Sequence, residues 1–369
     1  MIRMRIVKAK KLSKKKKILL QVFAVLLALV LTGIFILLMG HDPIKVYVSM
    51  LDGSFGSGHR IKETIVKTIP LVIAGLGIGI AFKMKFWNIG GEGQMLMGGF
   101  GATFIALNFK DSPKFLVIIL MIIVGMICGG LWALFAGILK SRFNTNETII
   151  TLMLNYIALK WIVYLQYELW KDPASLGFPK IANFSDNATL PKVFGIHIGW
   201  VIALILVIVV HAFLNYTKKG YEISVLGESE NTAKYSGMSV KKIILLTTFI
   251  SGALVGLAGV IQASAVTNTL STQLTSNVGN TAIIISWLSG LNSIWTLLVS
   301  VAFAVLIQGA SYIQTAFQIP QAAADIIQAM ILFCVLGCQF FLQYKVVIEI
   351  STKSESEVDV TKGGETYGH

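Results

Sequence analysis

Lys14-Lys15-Lys16-Lys17-Ile18-Leu19-Leu20-Gln21-Val22-Phe23-Ala24-Val25-Leu26-Leu27-Ala28-Leu29-Val30-Leu31 is the stretch on which the fold turns. Four lysines lead directly into an apolar run that continues to residue 39, and nine Lys and Arg fall within the first 17 residues. Roughly 20 apolar residues suffice to cross the hydrocarbon core of a bilayer. A basic flank marks the cytoplasmic end of such a run, because it is drawn to an anionic leaflet. A cleavable signal peptide would have a shorter apolar core followed by a small-residue cleavage site, and no clear A-x-A follows here. The run reads as a retained first span with the N-terminus inside.

The rest of the chain repeats this pattern. Hydrophobic residues make up 55% of it and charged residues 13%, and the mean hydropathy is +0.75. A charge at the bilayer centre costs about 3 kcal/mol, which keeps charges sparse. The expected fold is an all-α polytopic membrane protein with about ten spans, near 18–39, 65–82, 88–107, 115–139, 148–167, 198–215, 242–264, 280–290, 295–317 and 323–343. It divides into a basic N-terminus over 1–17, a membrane domain over 18–343 and a polar tail over 344–369 that is expected to be disordered. The third span is rich in glycine and the eighth is short, so either reads equally as a half-helix or re-entrant segment covered by protein or water. Gly75 and Gly79, Gly125 and Gly129, and Gly252 and Gly256 recur at four-residue spacing, which lets helix backbones approach closely.

Charge placement sets the orientation and excludes one class of partner. With the N-terminus inside, 21 Lys and Arg fall in cytoplasmic segments or at their span edges, nine in outer ones or at their edges, and Lys160 within a span. Both termini are therefore expected to be cytoplasmic. The formal net charge of +13 is concentrated at the first membrane flank, which argues for lipid and against nucleic acid. Two outer loops are long: residues 40–64 contain the turn-rich Asp52–Gly58, and residues 168–197 contain three prolines. Loops of that length often serve function, here as a rest for a substrate-carrying receptor or as a passive cap. Cys128, Cys334 and Cys338 lie in apolar runs and read as small hydrophobes.

Between two apolar runs lies Gly227-Glu228-Ser229-Glu230-Asn231-Thr232-Ala233-Lys234-Tyr235-Ser236-Gly237, within a cytoplasmic loop over 216–241. Ser229 suits a helix N-cap, Glu230 and Lys234 complement the helix dipole, and Gly237 suits a left-handed stop. A short, capped cytoplasmic helix reads as a grip for a soluble partner, with Glu228, Ser229, Glu230, Ala233, Lys234, Tyr235 and Gly237 as the docking residues. A plain loop has no need of such punctuation.

No catalytic constellation is present in the sequence. There is no G-x-x-x-x-G-K-[ST] phosphate loop, so ATP hydrolysis is not expected of this chain, and the five histidines show no metal spacing. Neither a cofactor nor a metal is expected in it. What remains are polar residues at membrane depth. In Trp87-Asn88-Ile89-Gly90-Gly91-Glu92-Gly93-Gln94, Asn88 and Glu92 are four apart and are expected on one helix face. Glu92 reads first as a keystone that satisfies freed backbone groups and second as a substrate contact. Asn155 and Tyr156 sit mid-span; Gln308, Ser311, Tyr312 and Thr315 form a polar stripe; Asp325 and Gln328 share a face. The expected substrate path comprises Asn88, Glu92, Gln94, Asn155, Tyr156, Gln308, Ser311 and Asp325, although interhelical hydrogen bonds use the same residue types.

At these residues the chain resembles a known family. Asn88-Ile89-Gly90-Gly91-Glu92-Gly93-Gln94-Met95 is similar to the N-I-G-x-E-G-Q signature of permeases in the sugar and nucleoside branch of bacterial ABC importers, the branched-chain-type permeases. Asn146-Glu147-Thr148-Ile149-Ile150-Thr151-Leu152-Met153-Leu154-Asn155-Tyr156-Ile157-Ala158 resembles a run of the nucleoside (basic membrane lipoprotein) subgroup. Gly227–Gly237 is similar to the family's coupling loop, and Ser251–Gly259 to the span that follows it. The resemblance implies a permease in the bacterial cytoplasmic membrane that moves a small molecule, a nucleoside or related sugar. It also implies a second permease, ABC ATPase subunits holding ATP and Mg²⁺, and an extracytoplasmic substrate-binding lipoprotein. Val278–Gly290 departs from the family's G-F-D-G-I-A-V-A-L-L-G, losing an aspartate and gaining Trp287, which leaves the substrate open and leans toward a different chain as the second permease. Two competing readings are a stand-alone ion-coupled transporter or channel using Glu92, Asp325 and Lys160, and a structural anchor. The capped cytoplasmic helix speaks against the first and the intramembrane polar residues against the second.

Overall fold

The computed structural model describes residues 2–8, 14–173, 175 and 177–350, so the expectation of disorder over 351–369 lies outside the described residues. The chain divides into two compact units, residues 1–32 with 330–369 and residues 33–329. In the first, strand β1 (Ile2–Lys8) pairs antiparallel with a strand from the far end of the chain, Tyr344–Ile350, with Ile2 opposite Ile350 and Lys8 opposite Tyr344. Residues 344–350 are thus ordered, which corrects the expectation for the start of the tail: Val346, Val347, Ile348 and Ile350 supply β-branched residues that favour a strand over coil.

The main unit is almost wholly helical. After α1 (Lys14–Leu38), which crosses the unit boundary, come α2 (Pro43–Phe55), α3 (Gly58–Lys83), α4 (Gly91–Asn108), α5 (Lys114–Phe143) and α6 (Glu147–Tyr164). A small outer hairpin, β2 (Lys192–Val193) and β3 (Ile196–His197), precedes α7 (Gly199–Tyr216), α8 (Lys218–Glu228) and α9 (Glu230–Tyr235). Then follow α10 (Val240–Ile261), α11 (Val278–Leu288), α12 (Ser293–Ala316) and α13 (Gln321–Gln343), with the strand over 344–350 being β4. α6 and α10 each run on into a π-helical turn, at Leu165–Leu169 and Gln262–Thr267.

Six helices among the described residues are long and apolar enough to cross a membrane: Gly58–Lys83, Lys114–Phe143, Glu147–Leu169, Gly199–Tyr216, Val240–Thr267 and Ser293–Ala316. A bent pair, Leu26–Leu38 with Pro43–Phe55, turns through 110° and makes a seventh if counted as one span. Ten spans were expected, six or seven pass this test among the described residues, and α4 and α11 have physical reasons for falling outside it. In α4, glycines together with Glu92 and Gln94 replace the apolar residues that a lipid-facing helix needs, and its neighbours are the helices α5 and α10. At 11 residues, α11 is only about 16 Å long, roughly half the hydrocarbon thickness.

The outer segment after α1 also differs from expectation. Residues 43–55 form a helix, capped by Asp42, whose carboxylate accepts from the Ile44 and Lys45 N–H groups, with Pro43 at the first position. Asp52-Gly53-Ser54 suggests a turn, but Gly53 lies inside the helix, where the Tyr312 side chain of α12 fills the space that a Cβ would need.

Burial arranges the bundle. α3 and α10 are mostly buried, while α5, α6 and α7 keep most of their surface outside. Packing follows the glycines: a Cβ on Gly129 would lie 2.6 Å from the Gly252 carbonyl oxygen, and one on Gly256 would lie 2.8 Å from that of Gly125. Along this seam α5 and α10 meet backbone to backbone, as the four-residue spacing predicts.

Candidate functional site

Lys83 ends α3, and residues 86–89 run non-helically before α4 begins at Gly91. Asn88 governs this segment. Its Oδ1 accepts from the Gly90 N–H (3.0 Å), an Asx-type turn that competes with the helix, and from Gln94 Nε2 (2.7 Å). Its Nδ2 donates to Gln94 Oε1 (3.1 Å) and to Ser251 Oγ on α10 (3.2 Å). From α6, Asn155 Oδ1 accepts from the Gly93 N–H (2.8 Å), and its Nδ2 donates to the Ile89 carbonyl (2.9 Å). Thr151 Oγ1 accepts from the Ile89 N–H (3.2 Å). One turn of irregular chain is thus fastened to α4, α6 and α10 by a knot in which both amide groups of Asn88 and Asn155 are engaged, and Asn88 is only 1% exposed.

Asn88 and Glu92 do not share a helix face, because Asn88 precedes the helix that carries Glu92. Glu92 is turned elsewhere: its Oε1 accepts from the Asn280 N–H (3.1 Å) in the first turn of α11, beside the Thr275 hydroxyl and the Gly279 N–H. Asn277, at the N-cap of α11, has φ +63° and makes no side-chain cap bond. Glu92 therefore caps α11 from a neighbouring helix, with its carboxylate where the helix dipole favours negative charge.

The loop between α7 and α10 folds as the sequence predicts. The Thr232 N–H donates to Ser229 Oγ (3.3 Å), Glu230 pairs with Lys234 at 2.7 Å, and Gly237 is left-handed at φ +73°. Glu228, Glu230, Lys234, Tyr235 and Gly237 are exposed, Tyr235 to 93%, and Ser229 is half-buried. Ala233 is 0% exposed and faces inward, so of the expected docking residues it alone cannot touch a partner. Two contacts tie this unit to the knot. Gly227 of α8 packs against the backbone of Lys83 and Met84, and Lys85 Nζ donates to the Glu228 carbonyl (3.3 Å).

The remaining expected path residues are not gathered here. Tyr156 points away from its neighbour Asn155 and is 58% exposed, lining a hollow of about 430 Å³ with Ile157, Lys160, Trp161 and Tyr164. Ser311 accepts from Lys67 Nζ (2.9 Å), and Arg60 reaches both Asp52 and the Tyr312 hydroxyl, so this part of the α12 stripe packs against α2 and α3. Gln308 is half-buried on the same helix, and Asp325 is exposed near the start of α13. Among the described residues, no cluster of His, Cys, Asp and Glu could hold a metal ion. The outer loop buries His197, and burial, with Lys192 nearby, lowers its pKa to about 4.

The sequence reading missed three partners: Thr151 and Ser251, which were read only as parts of motifs, and the pairing of Trp87 with Trp287. These rings stack at 5.1 Å and 25°, with Phe82 beside them. A polar residue within an otherwise small-residue run was the available signal for Ser251. None existed for two tryptophans 200 residues apart in the chain.

Comparison with known proteins follows the same lines. A glucose ABC transporter permease of Haloferax volcanii is 29% identical over 359 residues, covering 93% of each chain. A nucleoside ABC transporter permease of Lactococcus lactis is 28% identical over 96% of this chain and 99% of its own. A guanosine ABC transporter permease of Bacillus subtilis is 30% identical over 86% of this chain and 92% of its own. Residues 60–336, which hold the knot, α9 and α11, match the family described as branched-chain amino acid transport system / permease component, and the chain belongs to that family.

Proposed function

We propose that this chain is the membrane-embedded permease of an ATP-driven ABC importer whose cargo is a nucleoside. The observation that carries this reading is the capped helix α9, anchored through Gly227 and Lys85 to the segment that the Asn88 knot fastens to α4, α6 and α10. On this reading an ATPase subunit holding ATP and Mg²⁺ grips Glu228, Glu230, Lys234 and Tyr235. Its movement reaches the bundle through contacts already in place, a contiguous physical route. A second, different permease completes the path, and a substrate-binding lipoprotein delivers cargo at the outer loops. α1, α4 and α13 are further membrane segments, α11 enters as a half-span, and both termini lie in the cytoplasm of a bacterial cell. A self-sufficient transporter has no use for the α8–α9 unit.

Affinity isolation from gently solubilised membranes tests the assembly. An ABC ATPase and a second permease in the eluate are the expected result, and repeated recovery of the chain alone would overturn it. Uptake of labelled guanosine and uridine by the reconstituted assembly tests the cargo. A second reading, a monosaccharide cargo, draws on the Haloferax volcanii relative named for glucose, and labelled glucose in the same assay decides between the two.

A further inference from the structure

The segment Thr267-Asn268-Thr269-Leu270-Ser271-Thr272-Gln273-Leu274-Thr275-Ser276-Asn277-Val278-Gly279-Asn280 is polar and largely irregular, yet it runs through the bundle. Its upper end is bound to the outer loop, where the Phe184 N–H donates to the Asn268 carbonyl (2.8 Å) and Thr269 Oγ1 donates to that of Ile181 (3.0 Å). Lower down, Leu270 and Leu274 close against Gly99 of α4. At its lower end Gly279 meets Gly91 and Glu92. Gly91 and Gly99 are about 12 Å apart along α4 by helical rise, so the segment descends well into the depth of the membrane.

Its two sides differ. Leu270, Leu274, Thr275 and Val278 are buried, whereas Gln273, Ser276, Asn277 and Asn280 are exposed. Lipid cannot satisfy irregular backbone and carboxamides at this depth, so the exposed side faces the second permease or the water between the two. The face continues down α11. Trp287 lies seven residues below Asn280, two turns and about 10 Å on the same side. There it stacks on Trp87, which is 43% exposed. Asn280 Nδ2 donates to Asn277 Oδ1 (2.7 Å), leaving Asn277 Nδ2 and the Gln273 amide facing outward as hydrogen-bonding groups.

We propose that this face is a substrate-resting site in the translocation path, with the carboxamides of Gln273, Asn277 and Asn280 meeting the sugar hydroxyls and the Trp87–Trp287 pair stacking the base. The proposal rests on the permease reading above and assigns the nucleoside a place within it. Amides offer both donors and acceptors to hydroxyls, and indole faces stack on any base. Glu92 caps α11 and sets the height of the site.

Two experiments on the complete transporter test this. In the first, Ser276→Cys is placed in a Cys128→Ser, Cys334→Ser, Cys338→Ser background and exposed to a water-soluble maleimide in membranes opened to both sides. Labelling that uridine or guanosine slows is expected. An unreactive Ser276→Cys in a transporter that still works would overturn the resting site. In the second, Trp287→Ala should raise KM about tenfold with little change in kcat, and Trp287→Phe, which keeps a stacking ring, should raise it less. Unchanged KM in Trp287→Ala, with nucleoside uptake intact, sinks the resting site and leaves the nucleoside reading standing. Protection by glucose and not by nucleosides overturns the nucleoside reading itself.

Discussion

The knot around Asn88 and the segment ending at Asn280 are built from the same residue types and lie only a few residues of packing apart. Their difference is in saturation. Asn88 and Asn155 spend both ends of their side chains on backbone and side-chain partners within the bundle. Gln273 and Asn277 are exposed and keep amide groups turned outward. Buried polar groups that are fully paired hold structure, because leaving one unpaired costs more than the bond contributes. Polar groups kept exposed at membrane depth are free to exchange water for cargo. A permease needs both, a fixed frame and an uncommitted face, and this chain separates them onto opposite sides of α4's first turn.

Breaking the frame should have the largest effect. Asn88→Ala strands the Gln94 side chain, the Gly90 N–H and Ser251, and should cost roughly 3 kcal/mol or more. Thermal unfolding in detergent and membrane yield measure it; a variant as stable as the parent would mean that the knot is not structural. Next comes the cytoplasmic grip. Lys234→Glu with Tyr235→Ala alters only exposed positions, so yield should stay within about 0.5 kcal/mol of normal stability while ATP-driven uptake falls about tenfold or more. Ala233→Asp, by contrast, should lower yield as well, since it buries a charge beneath α9.

Asn277→Gly sharpens the comparison further. Glycine accepts the φ of +63° without strain, so folding should be almost unchanged, within about 1 kcal/mol. The substrate KM should nonetheless rise several-fold in a transport assay. The smallest expected effect is at His197, in the loop between α6 and α7. His197 is buried neutral, with a pKa near 4 against 6.5 for a free imidazole. As pH falls below 6.5 the unfolded loop takes up a proton that the folded loop refuses, so its stability declines progressively down to about pH 4 and is fully present above 6.5. Limited proteolysis of the loop over this range should show rising cleavage, and His197→Gln should flatten the profile.

Much of this architecture was legible in the sequence. Apolar runs located the principal helices, and Ser229 and Gly237 marked the ends of α9. The four-residue glycine spacings foretold where α5 and α10 touch. What escaped was decided by contacts distant in the chain. Helical periodicity put Asn88 and Glu92 on one face, but the Asx turn at Gly90 keeps Asn88 out of the helix. Asp52-Gly53-Ser54 looked like a turn because its glycine serves Tyr312, 259 residues further on. Ser311 looked free for substrate until Lys67 was seen to reach it. The polar run from Thr267 to Asn280 falls between two expected spans, and nothing local reveals that it packs along α4.

The glycine seam has a mechanical consequence. At Gly129 and Gly256 a Cβ would run into the facing main chain, and Val260 and Ala133 crowd Gly125 and Gly252. Sliding one helix past the other would drive main-chain oxygens into main-chain atoms within a fraction of an ångström, so α5 and α10 must travel as one solid piece. A machine with such a welded stator has to take up its stroke elsewhere. The short α11, entered from irregular chain and capped by a borrowed carboxylate, stands outside that seam, tied to α3 by the Ser286 hydroxyl bond to the Gly75 carbonyl.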